Sequence, residues 1–108
     1  RTQKKGAWRL DKMGEAVDPL DVVRFGSQHL HAVGRGISYR DSAGAISIDT
    51  PDAPLVSPGK PGLLRFGRER ASVAGGMHVN LHNNIWGTNF PQWLGEDTAF
   101  RFTLHETQ

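Results

Sequence analysis

ISYRDSAGAISI, residues 37–48, is the stretch that decides the fold. Apolar and polar residues alternate in segment 37–39 (ISY) and again in segment 46–48 (ISI), on either side of the turn-forming segment 41–44 (DSAG). A period of two is typical of strands with one buried face, and a short Gly-containing link between two such strands predicts a β-hairpin. An antiparallel sheet is therefore the expected framework of the chain.

Further short alternating segments lie on both sides of this hairpin. Upstream, Val23 alternates with Phe25 and Leu30 with Ala32; downstream, residues 77–81 and 100–104 alternate. The expected apolar faces of the last two strands are Met77, Val79 and Leu81, and Phe100, Phe102 and Leu104. Residues 52–59 predict an extended segment closed by a Pro-Gly turn, and Pro54 favours a sheet edge because its nitrogen cannot donate a hydrogen bond.

Glycine and proline limit helix throughout the chain. Its 108 residues include 13 Gly and 6 Pro, and each costs a helix interior about 1 and about 3 kcal/mol respectively. The one helix candidate, residues 10–17, contains Gly14 and is expected to form a turn or two at most. We therefore predict an irregular lead-in over residues 1–19, followed over 20–108 by one antiparallel β-sandwich domain. Its class is all-β, with short strands, one long functional loop and little or no helix.

Composition narrows the classes of partner. The 13 basic and 11 acidic residues are interspersed, for a net charge of +2, whereas nucleic-acid binding favours a basic stripe with stacking aromatics. No apolar run approaches the roughly 18 residues that a membrane-spanning helix needs. Cysteine is absent, which excludes disulfides, thiolate metal sites and cysteine nucleophiles. We expect neither nucleic acid nor a membrane as a partner.

The long loop, residues 82–98, holds the chemistry of greatest interest. It lacks periodicity and interleaves carboxamides with large aromatic rings. Loops of this length in compact domains are usually functional or disordered, and rings of this size, which are seldom left in water, argue against disorder. Amides pair with sugar hydroxyls, and aromatic rings pack on sugar C–H faces. Alternatively, the rings cap the core while the Asn side chains satisfy loop backbone through Asx turns. The predicted substrate-binding residues are Asn83, Asn84, Trp86, Asn89 and Trp93.

The histidines indicate hydrogen-bonded side chains rather than metal ligands. His29 and His31 would lie on one face of a strand with α-carbons about 7 Å apart, near enough to share Zn²⁺, but no third ligand is visible. His78 and His82 would be about 13 Å apart on a strand, too far to chelate one ion. No metal site is predicted in this chain.

No catalytic residue is predicted either. Glu96 and Asp97 are adjacent, so on an extended backbone they point apart and do not form the facing carboxylate pair of a glycosidase. The Gly-x-Ser-x-Gly motif of a serine nucleophile is also absent from the sequence.

The run MHVNLHNNIWGTNFPQW, residues 77–93, followed by residues 100–102 (FRF), resembles a known family. It is similar to the carboxy-terminal end of an uncharacterised family of large proteins related to family 38 glycoside hydrolases, the α-mannosidase group. Residues 52–56 (DAPLV) and 8–32 resemble the segment that precedes this end in the same family. The resemblance covers most of the chain, and NNIWGTNFP is its most specific part.

This resemblance implies a parent enzyme with an amino-terminal α/β barrel that carries a zinc-bound catalytic site, followed by β-sandwich domains. The His-x-Asp metal-binding motif of the barrel does not occur here, so zinc is implied only in the parent's catalytic domain and no cofactor in this chain. Loops of the β region reach towards the active-site cleft in such enzymes. That role is carried over to the five predicted substrate-binding residues alone.

The leading functional hypothesis is the carboxy-terminal β-sandwich part of a family 38-like glycoside hydrolase, inactive on its own, that supports the catalytic domain and contributes to sugar binding. The expected partners are carbohydrate and an upstream catalytic domain or another chain of the same enzyme. A start at Arg1 rather than at methionine fits a piece that continues upstream. The alternatives are an independent carbohydrate-binding module and a purely structural packing domain.

Overall fold

The computed structural model describes residues 6–22, 26–61, 67, 69–81, 95 and 97–107. Within these ranges the regular structure is entirely strand. The strands are β1 (Ala7–Lys12), β2 (Glu15–Val17), β3 (His31–Ala32), β4 (Gly36–Asp41), β5 (Gly44–Asp49), β6 (Leu55–Pro58), β7 (Met77–Asn80) and β8 (Thr103–Thr107). None of the described residues belongs to a helix long and apolar enough to cross a membrane.

The predicted hairpin is the centre of the larger sheet. β4 and β5 pair antiparallel in a register that joins Asp41 to Gly44 and Ile37 to Ile48. The turn is closed by an Asx contact in which the backbone N–H of Ala43 donates to Oδ1 of Asp41 at 2.8 Å. The five-stranded sheet has the order β2-β1-β4-β5-β8, with every neighbouring pair antiparallel.

The expected irregular lead-in is wrong over β1 and β2. Both strands belong to the five-stranded sheet, so the folded unit begins well before residue 20. They form a hairpin whose two-residue turn, Met13-Gly14, has positive φ at both positions, 56° and 89°, as a type I′ turn requires. The alternation of Trp8 and Leu10 was the signal for β1, and Gly14 serves the turn rather than interrupting a helix.

The smaller sheet corrects the expectation for Pro54. Its order is β3-β6-β7, so β6 is the central strand and not an edge. Pro54 lies just before β6, where it needs to donate nothing, and its carbonyl accepts a hydrogen bond from the backbone N–H of Val33 at 2.7 Å. The predicted Pro-Gly turn is present, with Gly59 at φ 80° after β6.

One core lies between the two sheets. Leu10 and Ile37 of the large sheet and Val56 of the small one are buried together with Val33. The half-buried residues that pack against this cluster are Trp8, Val17, Ile48, Met77 and Val79. Two antiparallel sheets that share one core make an all-β sandwich, which confirms the predicted fold class.

The last strand starts later than predicted. β8 begins at Thr103 rather than Phe100, and all its residues are exposed. Leu104 pairs with Ile48 of β5, but 62% of the surface of Leu104 is exposed, as is 39% of that of Phe102. The alternation at 100–104 therefore does not mark a buried face. Leu81, expected on the buried face of β7, lies after that strand and is exposed. The strand expected at Val23 and Phe25 lies outside the described residues.

Candidate functional site on the polar face of the large sheet

A row of polar side chains crosses the outer face of the five-stranded sheet. Residues directly opposite each other in neighbouring strands share a face, and the register joins Arg9 to Ser38, Ser38 to Ser47, and Ser47 to His105. The row therefore spans β1, β4, β5 and β8. We call these four residues the polar row. The residues one step along β1, β4 and β5, namely Leu10, Ile37 and Ile48, lie in the core or pack against it instead.

The polar row borders a depression of about 350 Å³. Three charged residues, Asp11, Arg35 and Asp49, line the same depression. Gly36 also lines it, and a Cβ at this position would lie 1.9 Å from the carbonyl oxygen of Ile48. Only glycine therefore allows β4 and β5 to approach this closely here, next to the charged residues.

Arg35 connects the two carboxylates. Its backbone N–H donates to Oδ2 of Asp11 at 2.7 Å, and its Nε donates to Oδ1 of Asp49 at 3.2 Å. Nε2 of His105 lies 3.6 Å from Oδ2 of the same Asp49. Because the Arg35 side chain is 74% exposed, the ion pair adds little stability, and its main effect is to orient the two charged groups.

The serines in the polar row have hydroxyl groups available to a ligand. Ser38 and Ser47 are half-buried, and neither side chain forms a hydrogen bond within the described part of the chain. Their β-carbons lie about 5 Å apart in a cross-strand pair. Each hydroxyl can donate one hydrogen bond and accept others. The centre of the row is thus a pair of adjacent, unused hydroxyls with charged groups on both sides.

The chemistry that the site could support depends on the hydrogen bonds among its polar groups. A serine nucleophile needs a hydrogen bond to its base, and Ser47 forms none with His105. Asp11 and Asp49 both accept hydrogen bonds from Arg35. Among the described residues, no three His, Asp or Glu side chains are grouped so that they could hold a metal ion.

The five residues predicted from the sequence to bind substrate, Asn83, Asn84, Trp86, Asn89 and Trp93, lie outside the described residues, as do His82 and Glu96. Asp97 is exposed. The structure therefore leaves the predicted role of the long loop a prediction.

The predicted histidine pair is only partly as expected. His31 is buried in β3, and its Nε2–H donates to the carbonyl of Gln28 at 2.9 Å. Burial lowers the pKa of His31, and the nearby positive charge of Lys12 lowers it further, against the opposite effect of that hydrogen bond. His29 precedes the strand and is also buried, but neither of its ring nitrogens has a hydrogen-bond partner in the described structure. His78 is half-buried and donates from Nε2 to the carbonyl of Gly59 at 3.3 Å.

The polar row was not predicted from the sequence. Its members are the polar residues of alternating strands. The alternating pattern predicts that such residues face solvent, but not which of them lie beside each other. The register of four strands was needed to bring Arg9 of β1 and His105 of β8 onto one line.

Comparison with protein-family models, with curated proteins and with solved structures finds no match to this chain.

Proposed function

We propose that this chain is a non-catalytic β-sandwich domain that binds carbohydrate on the polar face of its larger sheet. It serves as the carboxy-terminal part of a family 38-like glycoside hydrolase, where it packs against the catalytic domain. The observation that carries the binding role is the polar row beside its depression, with two unused hydroxyls at the centre. The resemblance of residues 77–93 and 100–102 supports the assignment to such an enzyme.

The charges of the site favour a neutral polyol. Two cations, Arg9 and Arg35, face two carboxylates, Asp11 and Asp49, so the depression offers neither an anion nor a cation a net attraction. A sugar hydroxyl both donates and accepts hydrogen bonds, and the site provides both kinds of partner through its serines, guanidinium groups and carboxylates. A depression of about 350 Å³ falls at the small end of ligand-binding clefts.

The long loop provides the second contribution to the proposed function. Its carboxamides and indole rings are residue types that do not occur among the described residues lining the depression. Sugar binding combines hydrogen bonds with stacking on aromatic rings. In the proposal, Trp86 and Trp93 provide the stacking.

The test is calorimetric titration of the chain with α-linked mannose oligosaccharides, with cellobiose as an unrelated sugar. The Ser38→Ala/Ser47→Ala double variant should weaken binding by roughly tenfold, since each lost hydrogen bond contributes about 0.5–1.5 kcal/mol. Ser42→Ala is the matched control, because Ser42 is exposed in the β4–β5 turn, away from the polar row. Equal affinity for the wild type and the double variant would exclude the polar row as the sugar site.

Activity on nitrophenyl α-mannoside tests the non-catalytic part of the proposal. The chain alone should show no turnover. Turnover that disappears in Asp11→Asn or Asp49→Asn would instead assign catalysis to the depression itself.

The two alternative functions are separated by variants in the long loop. Sugar binding by this chain alone that is lost in Trp93→Ala, while the thermal unfolding midpoint is kept, favours an independent carbohydrate-binding module. If the chain is instead a structural packing domain, Asn84→Ala should lower the stability of the whole parent enzyme and leave its kcat unchanged.

A further inference from the structure

A second pocket, of about 400 Å³, lies at the end of the small sheet, away from the polar row. It is formed between the turn after β6 and residues 70–75. The polar side chains that line it are His29, Lys60, Arg70 and Ser72.

His29 is an unused hydrogen-bonding group in this pocket. It is 3% exposed, and both ring nitrogens are covered and without a partner in the described structure. A buried polar group without a partner is destabilising, and such groups in folded proteins often belong to a ligand or functional site. The other two histidines of this region, His31 and His78, each donate to a backbone carbonyl. His29 therefore differs from them in having an N–H with no acceptor.

The charges of the pocket select an anion. Lys60 and Arg70 are exposed at its rim, and no carboxylate is among the described residues that line it. Oγ of Ser72 accepts the backbone N–H of Ala74 at 3.2 Å, which leaves the hydroxyl proton of Ser72 free to donate. Every polar side chain of the pocket can thus donate a hydrogen bond.

Glycine contacts fix the wall of the pocket. A Cβ on Gly59 would lie 2.0 Å from the carbonyl oxygen of Ser72, and one on Gly75 would lie 2.1 Å from the carbonyl oxygen of Gly59. The backbone N–H of Gly59 also donates to the carbonyl of Gly76 at 2.8 Å. The turn and the 70–75 segment are therefore held against each other by direct backbone packing.

We propose that this pocket binds a small oxyanion, the phosphate or sulfate group of a ligand, separately from the sugar site on the large sheet. Lys60 and Arg70 neutralise its charge at the rim, and the hydroxyl of Ser72 and the imidazole N–H of His29 donate to its oxygens. Because both ring nitrogens of His29 are covered by protein, donation to the anion requires the ring to turn towards the pocket.

The experiment is calorimetric titration of the chain with inorganic phosphate and inorganic sulfate at constant ionic strength. Lys60→Ala and Arg70→Ala should each weaken binding by about tenfold, as expected for a charge-assisted hydrogen bond. Arg40→Ala is the matched control, since Arg40 is an exposed cation on β4 of the other sheet. A loss of affinity in Arg40→Ala equal to that in Arg70→Ala would show that only net charge attracts the anion, and would overturn the proposal.

The ring of His29 is followed separately, because His29→Gln can fail to fold. Its side-chain nitrogen resonances should shift on phosphate titration in the wild type, and Arg70→Ala should need about tenfold more phosphate for the same shift. No shift in the wild type contradicts the proposal. Titration with glucose 6-phosphate against glucose then distinguishes a free oxyanion from one carried on a sugar, since only the second source gives tighter binding of the ester than of inorganic phosphate.

Discussion

Arg101 holds the carboxylate of Asp52 with three N–H groups. Its backbone N–H donates to Oδ2 at 2.8 Å, Nε donates to the same oxygen at 2.8 Å, and Nη2 donates to Oδ1 at 2.9 Å. This fork lowers the pKa of Asp52 to about 2. Because β8 begins two residues after Arg101, the contact fixes the point at which the last strand joins the large sheet beside β5.

Replacing Asp52 by Asn should lower the stability of the fold at neutral pH and loosen β8. A carboxyl whose pKa is lower in the folded state stabilises the fold above its unfolded pKa, near 4, and loses that contribution as pH falls towards 2. Asp52→Asn should therefore be less stable than the wild type at pH 7, and its stability should change less between pH 4 and pH 2. Urea unfolding across this range measures both effects.

Amide hydrogen exchange measures how far the contact between Asp52 and Arg101 stabilises β8 locally. Amides of β8 should exchange faster in Asp52→Asn than in the wild type, while those of β6 stay as protected. Asp97→Asn, an exposed position on the same segment, is the control. Equal acceleration in both variants would mean that the Arg101 fork does not position β8.

The sequence predicted the sheets more reliably than their boundaries. Residues 37–48 could be placed because both strands alternate around a turn with its own Asx contact, which are local properties. The β1–β2 hairpin was missed because its turn uses Met13, whose side chain does not indicate a positive φ. The position of Pro54 was wrong because only pairing with β3 and β7, at distant positions in the chain, makes β6 central.

The candidate sites depend still more on long-range structure. Arg9 and His105 are 96 positions apart, and only the order of four strands places them in one row. For His29 and His31 the sequence predicted hydrogen-bonded side chains. It could not show that His31 finds an acceptor at Gln28 while His29 finds none, because that depends on where each ring is buried.

The burial of His31 predicts a loss of stability in mildly acidic solution. Its pKa is lowered in the folded state, so below its ordinary value near 6.5 the unfolded chain binds more protons, and stability falls as pH falls through this window. In His31→Gln the side-chain amide can replace the donor to Gln28 but does not titrate. The urea midpoint of this variant should therefore depend less on pH between 7 and 5 than that of the wild type.

The exposed His105 is the control for this pH effect. His105→Gln should keep the decline seen in the wild type, because His105 lies on the exposed strand β8 and lacks the burial of His31. A decline that persists in His31→Gln and vanishes in His105→Gln would contradict the assignment to His31.

Met13 is a site where one substitution should stabilise the fold. Its φ of 56° is unfavourable for a side chain of this type, and the side chain is fully exposed. Asn tolerates this conformation and, before Gly, is the preferred first residue of a type I′ turn. Met13→Asn should raise the free energy of unfolding by about 0.5–1 kcal/mol, measured by urea denaturation. Met13→Ala keeps the unfavourable backbone conformation, so its free energy of unfolding should rise less than that of Met13→Asn. An equal rise in both variants would mean that removal of the exposed apolar side chain causes the effect.

Gly59 and Gly14 form a matched pair that separates backbone strain from steric overlap. Both have positive φ, 80° and 89°, so an alanine at either position should cost about 1–2 kcal/mol in backbone energy. At Gly14 nothing lies within 4 Å of the added methyl group, whereas at Gly59 it would meet the carbonyl oxygen of Ser72 at 2.0 Å. Gly59→Ala should therefore lower the free energy of unfolding by clearly more than Gly14→Ala. Equal losses of free energy of unfolding would mean that segment 70–75 moves away from the added methyl group at little cost, and that the wall of the anion pocket is not rigid.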